Sequence, residues 1–272
     1  MTQNKTTQKR DAPFSARLRP HLTGRLALGA LSVTTVFVVY IGLTNLPGNN
    51  PALLPPISDI VGSFFTNLQN GSLLTALGAS LFRVMTGFFI GTSIALVVGC
   101  LIGWYKVAEY LFDPLIEAVR PIPPLAYIPI IIIWFGIGEF SRVLIITIAC
   151  FMVCVVNVIA GMKNVPQVYV DAASTMGASR LQVFRTVAVP AATPFIITGY
   201  RISLAAAWTT LVASELIAAQ NGLGYLLQEG RRYFLTDQVM MIIVVIGACA
   251  FVMDRIFRII QARLMVWSEA RE

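Results

Sequence analysis

The chain has 272 residues, of which 57% are hydrophobic and 12% are charged, and its mean hydropathy is +0.76. Water-soluble domains carry about a quarter charged residues, so this composition excludes an ordinary soluble enzyme or binding module. The net charge of +7 does not indicate nucleic-acid binding, because the basic residues are scattered among apolar segments rather than gathered on one face.

Six apolar segments are candidates for membrane-spanning helices, each of which needs about 20 apolar residues. The first covers 25–46 and follows a polar tail, 1–24, that lacks the order of a cleaved signal peptide. Proline, glycine and asparagine end it, so residues 47–75 are predicted to form an external loop. The other five lie within 76–262, at about 76–104, 125–135, 141–162, 193–214 and 239–260, and 263–272 form a second tail. An all-α polytopic membrane protein with about six transmembrane helices is predicted.

Small residues recur every four positions along the second segment, which places them on one ridge of a helix. They are Gly87, Gly91, Ala95, Gly99 and Gly103. Such a ridge lets a neighbouring helix approach closely, and we interpret it as a packing surface rather than a gate.

An amphipathic stretch, 106–120, precedes the third apolar segment, and prolines interrupt the chain between the two and within the segment. The acidic residues on one face of this stretch are Glu109, Asp113 and Glu117, and the prolines that follow are Pro121, Pro123, Pro124 and Pro129. In a bilayer, broken backbone is tolerated where neighbouring protein or a water-lined cavity satisfies its polar groups. A translocation path and a simple kink in a buried span are therefore both open.

Basic residues in the loops predict the orientation of the chain. They are concentrated at both ends of the chain and after the second and fourth segments, whereas the opposite loops hold Arg142, Arg231 and Arg232. Both termini are therefore predicted to lie in the cytoplasm.

A long polar stretch, 163–190, separates the fourth and fifth apolar segments. It predicts two short helices joined at a turn, because Gly177 suits a helix end with positive φ and Ser179 begins a second helical pattern. Pro190 is expected to close that second helix. The residues alone leave two interpretations open: a rigid docking surface for a partner, and an ordinary amphipathic loop.

This stretch resembles the EAA motif of ATP-binding-cassette (ABC) importer permeases, and we call it the coupling loop. The family motif is Glu-Ala-Ala, three residues, Gly, nine residues, Ile, one residue, Leu-Pro, and the spacing here is the same, with Asp171, Val187 and Val189 at the substituted positions. The resemblance implies that the loop receives motion from a separate ATPase. The residues to which it assigns this role are Asp171, Ala172, Ala173, Gly177, Ala178, Arg180 and Pro190.

Further stretches are similar to the nitrate, sulfonate and taurine branch of these permeases. They are Arg120-Pro121-Ile122-Pro123-Pro124-Leu125-Ala126-Tyr127-Ile128-Pro129, then Ile133 to Glu139, and Glu215-Leu216-Ile217-Ala218-Ala219 followed by Gly222 to Tyr225. The first of them, together with Trp208 to Ala213, most resembles taurine permeases. The similarity covers about residue 76 to the carboxyl end. It implies the transmembrane-domain fold of a type I ABC importer and a small anionic solute, taurine or another alkanesulfonate, with nitrate, bicarbonate or a vitamin precursor as alternatives.

The resemblance also implies the partners of a bacterial inner-membrane importer: a second copy of this chain, a cytoplasmic ABC ATPase dimer and a periplasmic substrate-binding protein. The sequence has no Gly-x-x-x-x-Gly-Lys-Ser/Thr loop, so ATP and Mg²⁺ are expected to be used by the ATPase. We therefore expect a non-enzymatic subunit that binds no cofactor. One histidine, His21, and four scattered cysteines predict no metal site.

Charged residues within the apolar segments are functional candidates, because a buried charge is costly unless it is paired or hydrated. Arg83 and Glu215 fall at similar depth, and we predict an ion pair or gate element rather than snorkelling to the interface. Arg201 suits an anion path, while an arginine bound to carbonyls of the broken third segment is the alternative. The full candidate set for the path or gate is Arg83, Pro123, Pro124, Tyr127, Trp134, Arg201, Trp208, Thr209, Thr210 and Glu215.

Two other classes fit the sequence poorly. A secondary transporter usually shows a second half that repeats the first, and no such repeat is visible. An intramembrane enzyme needs a nucleophile and a base at one depth, and the histidine lies outside the apolar segments.

Overall fold

The structure is a computed structural model that describes residues 19–46, 48 and 50–265. Contacts divide the chain into two units, Met1–Ser58 and Asp59–Glu272. In the first unit, helix α1 covers Arg19–Thr44, and the Tyr40 hydroxyl donates to the carbonyl of Pro55 at 2.6 Å. The described apolar part of α1, Thr34–Thr44, is shorter than a membrane span, so the first crossing stays a prediction.

All regular structure in the described part of the chain is helical, which confirms the predicted fold class. After α1 the helices are α2 (Ile57–Gln69), α3 (Ser72–Trp104), α4 (Lys106–Val119), a 3₁₀ turn (Pro124–Tyr127), α5 (Ile128–Phe135), α6 (Glu139–Lys163), α7 (Gln167–Thr175), α8 (Arg180–Val183), a π-helical turn (Phe184–Ala188), α9 (Val189–Ala218), α10 (Leu223–Arg232) and α11 (Thr236–Leu264). Four of these are long and apolar enough to span a membrane: α3, α6, the continuous Arg180–Ile217 and α11.

Residues 47–75, which were predicted to form an external loop, contain helix α2 and the first residues of α3, and their external location stays a prediction. Ile60 and Phe64 of α2 pack against the main apolar cluster, which is formed by residues of α3, α6, α9, α10 and α11. The amphipathic pattern of this segment was overlooked because it is shorter than a membrane span.

The broken third segment turns more sharply than a kink. The axis of Lys106–Val119 and the axis of Pro124–Phe135 differ by 86° across the proline-rich break. Within the single chain, Ile133 and Trp134 of α5 are 76% and 69% exposed, whereas Ile128 and Ile131 are buried against Ile145 of α6. The 86° turn is larger than a simple kink, and the translocation path at this break stays a prediction. The prolines remove amide donors at successive positions, which ends α4 and lets the chain change direction.

The small-residue ridge of α3 packs against α6, as predicted. A Cβ at Gly87 would lie 2.6 Å from Ile146 Cγ2, and one at Gly99 would lie 2.7 Å from Val158 Cβ. Ala95 is fully buried between them. Because these positions are glycines, α3 and α6 can approach each other at this short distance.

Substitution of this ridge is expected to destabilise the protein. A Cβ at Gly91 would lie 2.5 Å from the carbonyl oxygen of Thr147, so Gly91→Ala should cost about 1–3 kcal/mol through overpacking. Gly78→Ala is the matched control, because it lies in the same helix and its Cβ would meet nothing within 4 Å. Thermal unfolding in detergent should show a lower midpoint for the Gly91 variant and an equal or higher one for the control. Equal midpoints would contradict the packing role.

Candidate coupling loop and buried ion network

The turn of the coupling loop is built by Gly177, in agreement with the sequence prediction. Gly177 has φ +84°, and its N–H donates to the carbonyl of Ser174 at 3.0 Å. The N–H of Ala178 donates to the carbonyl of Ala173 at 3.1 Å. These two bonds form a Schellman motif, which satisfies the last carbonyls of α7 and requires a residue that accepts positive φ.

Helix α8 begins after Ser179, where the sequence predicted the second helix, and the structure shows a capping box there. The backbone N–H of Ser179 donates to Gln182 Oε1 at 2.7 Å, and the N–H of Gln182 donates to Ser179 Oγ at 3.4 Å. The polar backbone groups at the end of α7 and at the beginning of α8 therefore find their hydrogen-bond partners within the loop itself. The geometry of the turn is defined locally and does not need a partner.

Pro190 does not close the second helix, which corrects the prediction. It lies in the first turn of α9, where a missing N–H is tolerated. The preceding π-helical turn, Phe184–Ala188, carries the chain directly from α8 into α9. Residues Arg180–Ile217 thus form one continuous helical element, so α8 is rigidly attached to a membrane-spanning helix.

The outer face of the loop is exposed and apolar around Asp171. Asp171 Oδ1 accepts a hydrogen bond from Gln167 Nε2 at 2.9 Å, and Ala172 is exposed while Ala173 and Ala178 are half-buried. Sequence reasoning missed three large apolar side chains nearby, Val168 and Tyr169 on α7 and Met176 at its end, of which Met176 is 89% exposed. Leu181 on α8 is also exposed.

The connection between α3 and α4, residues 103–106, holds the coupling loop in place, and we call it the elbow. The Arg180 guanidinium lies over the ring of Tyr105 at 5.2 Å, and the rings of Trp104 and Phe184 are 5.7 Å apart. Both contacts join the elbow to the start of the Arg180–Ile217 element. An aromatic and cationic contact of this kind restrains the loop without burying it.

A second link involves the acidic face of α4. Lys163, at the end of α6, lies 2.8 Å from Glu109 Oε1 and 2.9 Å from Asp113 Oδ2. Side chains at both ends of these pairs are partly exposed, so each pair contributes little alone. Together they fix α4 next to the beginning of the coupling loop.

The ion pair predicted between Arg83 and Glu215 is confirmed. Arg83 Nη1 lies 2.5 Å from Glu215 Oε1, and neither side chain is exposed. All five donors of the guanidinium are used. Besides Glu215, the acceptors are Glu139 Oε2 for Nε (2.7 Å), Glu139 Oε1 for Nη2 (2.6 Å), Asn221 O for Nη1 (2.9 Å) and Asn221 Oδ1 for Nη2. A saturated guanidinium leaves no donor for a ligand.

Glu215 joins α9 to the beginning of α10 and to α3. Its Oε2 accepts from the N–H of Gly224 at 2.7 Å, and both of its oxygens accept from the hydroxyl of Ser80. The Ser80 hydroxyl oxygen in turn accepts from the N–H of Leu223 at 2.9 Å. The carboxylate therefore caps α10, whose positive end favours a negative charge.

Several members of this network escaped the sequence analysis. Glu139 is the first residue of α6, and its carboxylate also lies 2.7 Å from Arg142 Nη1. Asn221 and Ser80 are uncharged, so nothing in the sequence identified them as partners of the ion pair. Glu139 was recognisable, because a carboxylate at the beginning of an apolar segment is a natural partner for an arginine at the same depth. The gate role of the pair stays a prediction.

Arg201 has a different partner from the one considered in the sequence. Its Nε lies 2.9 Å from Asp254 Oδ1 on α11, and Arg258 Nε lies 2.7 Å from Asp254 Oδ2. The observed bond thus goes to a carboxylate, which corrects the alternative that Arg201 binds carbonyls of the third segment. Asp254 was overlooked, although a carboxylate within an apolar segment is itself a signal. The path role of Arg201 stays a prediction.

The other path candidates do not form one site in the single chain. Trp208 is buried in the cluster of α3, α9 and α11, whereas Tyr127 packs beside Ile128 in a separate cluster with α6. The remaining candidates are Pro123 and Pro124 at the 3₁₀ turn, Trp134 exposed on α5, Thr209 exposed on α9 and Thr210 buried on α9.

Comparison with known proteins places the chain in a family. The family model described as binding-protein-dependent transport system inner membrane component matches residues 87–266. A relative in Escherichia coli (strain K12), the taurine transport system permease protein TauC, is 39% identical over 89% of this chain and 89% of its own length. The nitrate import permease protein NrtB of Synechocystis sp. is 30% identical over 80% of each chain.

A solved structure supports the same fold. An inward-facing form of the MetNI methionine ABC transporter aligns with a TM-score of 0.55 and 21% identity, covering 70% of this chain and 96% of that chain. At this identity the likeness concerns the fold, which is the transmembrane domain of a type I ABC importer.

Proposed function

This chain belongs to the family of binding-protein-dependent transport system inner membrane components, and we propose that two copies of it form the translocation path of an importer for a small sulfonate, most specifically taurine. It is a multi-pass membrane protein and a permease subunit of an ABC importer. Its relatives are transport components rather than enzymes. The proposal adds the solute, the assembly and the roles of individual residues.

The coupling loop is proposed to receive an ATPase subunit on the cytoplasmic side. The outer face of α7 and α8 presents Met176, Val168 and Leu181 to solvent, and apolar residues in such an exposed group mark an interaction site. The continuous element Arg180–Ile217 would carry a displacement of this face into the membrane. This rigid continuity is the observation that carries the proposed coupling role, because a flexible loop would dissipate the motion.

A second copy of the chain is proposed to cover α5 and the neighbouring face of α9. Trp134 and Ile133 on α5 and Thr209 on α9 are exposed in the single chain. Apolar and hydroxyl side chains together suit a path between two protomers, with the broken backbone of 120–124 at its edge. We also propose that both termini lie in the cytoplasm, on the basis of the basic residues at the two ends of the chain and in the loops on the same side.

Taurine is favoured by the 39% identity to a taurine permease, while the nitrate permease relative favours nitrate as the second candidate. Both solutes present a compact group of oxygen atoms around a central atom. Because Arg83 is saturated and Arg201 is paired with Asp254, we propose that the external binding protein does most of the selection. Bicarbonate or a vitamin precursor would use the same machinery.

Uptake by reconstituted vesicles tests the solute. Vesicles that contain this chain, its ATPase and its binding protein should accumulate labelled taurine only when ATP is supplied, and excess alkanesulfonate should compete. The matched control is the same preparation with a binding protein selective for nitrate. Accumulation of nitrate without taurine from the native components would overturn the choice of solute, and accumulation without ATP would indicate a secondary transporter.

A further inference from the structure

A polar cavity of about 580 Å³ lies behind the coupling loop, on the side opposite its exposed apolar face. This volume is within the usual range of ligand pockets, roughly 300–1,000 Å³. Residues of the elbow, the end of α6 and the inner faces of α7 and α8 enclose it. They are Gly103, Trp104, Lys106, Met162, Lys163, Val165, Gln167, Val170, Ser174, Arg180 and Val183.

Cationic side chains dominate the polar part of this cavity. Lys163 is balanced by Glu109 and Asp113, but Lys106 and Arg180 have no carboxylate partner among the described residues. None of the residues that enclose the cavity is acidic. Asp171 lies one turn beyond Gln167 and accepts a hydrogen bond from the Gln167 side-chain amide, but it does not line the cavity. Lys106 and Arg180 thus line the same cavity, and neither has a carboxylate partner among the described residues.

Backbone donors add to this positive character. Lys106 is the first residue of α4 and Gln167 is the first residue of α7, and neither helix has a side-chain cap at its beginning. The free N–H groups and the helix dipole at such ends favour anions. In addition, the indole Nε1 of Trp104 is buried and has no acceptor among the described residues. This N–H is therefore available to an acceptor group bound in the cavity.

We propose that this cavity binds an anionic oxygen-rich group, a phosphate or a sulfonate, between Lys106 of the elbow and Arg180 of the coupling loop. The bound group would link α4 to the beginning of the Arg180–Ile217 element and restrain the coupling loop. Free anions and the headgroup of an anionic phospholipid share this chemistry. Binding does not depend on the proposed function, whereas any effect on transport rests on it.

Sulfate provides the direct test of the site. The full chain in detergent is heated in sodium sulfate and, at equal ionic strength, in sodium chloride. Sulfate should raise the unfolding midpoint of the native chain, because a ligand that binds only the folded state stabilises it. Lys106→Gln should weaken the apparent affinity for sulfate about tenfold, and Lys106→Arg should largely retain it. The matched control is Arg185→Gln, which removes an exposed charge outside the cavity from the same helical element.

A lipid source is distinguished in nanodiscs by native mass spectrometry. Phosphatidylglycerol retained by the native chain and lost in Lys106→Gln, without a sulfate effect, assigns the site to a lipid headgroup. A sulfate effect that Lys106→Gln weakens, without lipid retention, assigns it to a free anion. The proposal is overturned if neither ligand is retained, or if Arg185→Gln weakens binding as much as Lys106→Gln. Because the readout is binding, failure of the proposed transport function would leave these results unchanged.

Discussion

Glu215→Gln should lower the midpoint of thermal unfolding by roughly 10 °C, because it leaves Arg83 buried without one of its carboxylates. Removal of one partner from a buried ion pair costs about 3–5 kcal/mol, and each kcal/mol corresponds to about 2–4 °C in a chain of this size. The amide also places a donor group where the N–H groups of Leu223 and Gly224 converge with the hydroxyl of Ser80. The beginning of α10 should therefore loosen.

The experiment is thermal unfolding of the detergent-purified chain, with Asp254→Asn as the matched control. Asp254 also pairs with an arginine within an apolar helix, but its side chain is 32% exposed, so the control should shift the midpoint much less. If Glu215→Gln does not accumulate, Ser80→Ala provides a milder lesion, since it removes one hydroxyl from the same network. A native midpoint in both network variants would refute the structural role.

The double substitution Arg83→Met with Glu215→Gln distinguishes a network from independent contacts. Removal of both charges eliminates the unpaired guanidinium. The double variant should therefore lose less free energy of unfolding than the sum of the losses in the two single variants. Glu139 loses Arg83 in this variant but keeps its bond to Arg142, so no carboxylate is left without a partner. Strict additivity would indicate that the two residues contribute separately.

Gly177→Val should reduce ATP-dependent uptake more than tenfold while the chain remains folded. Residue 177 has φ +84°, a conformation that costs an ordinary residue about 1–2 kcal/mol and a β-branched residue more. A Cβ there would meet nothing within 4 Å, so the effect arises from the backbone and not from a clash. The strained turn would change the angle between α7 and α8 and move the docking face.

Gly71→Val is the matched control for this experiment. Gly71 has φ +77° and equally open surroundings, but it lies before α3 and outside the coupling loop. Both variants should lose similar stability, and only Gly177→Val should lose uptake and the ATPase activity that depends on the binding protein. Gly177→Asn should recover most of the uptake, because asparagine tolerates this conformation. Equal uptake in the two valine variants would contradict the coupling role of the turn.

The features that could be predicted from the sequence are those set by neighbouring residues. The apolar runs of α3, α6 and α11, the small-residue ridge, the turn at Gly177 and the cap at Ser179 all depend on side chains a few positions apart. A helix end with positive φ needs glycine at that position, and an apolar run of sufficient length needs a bilayer. The resemblance of the coupling loop to the EAA motif added an ATPase as the expected partner. The residues alone had left open whether the loop binds a partner at all.

The remaining features depend on how the helices are rotated and at which depth they meet. The pairing of Arg83 with Glu139 and Asn221, and of Arg201 with Asp254, brings together residues far apart in the chain. Pro190 was misjudged for a local reason, since the preceding π-helical turn lets α8 continue into α9. The sequence by itself determined the long apolar helices and where the coupling loop turns, because those choices are local. Only the tertiary structure decided which charges neutralise one another and which cations remain free, because these depend on distances between helices.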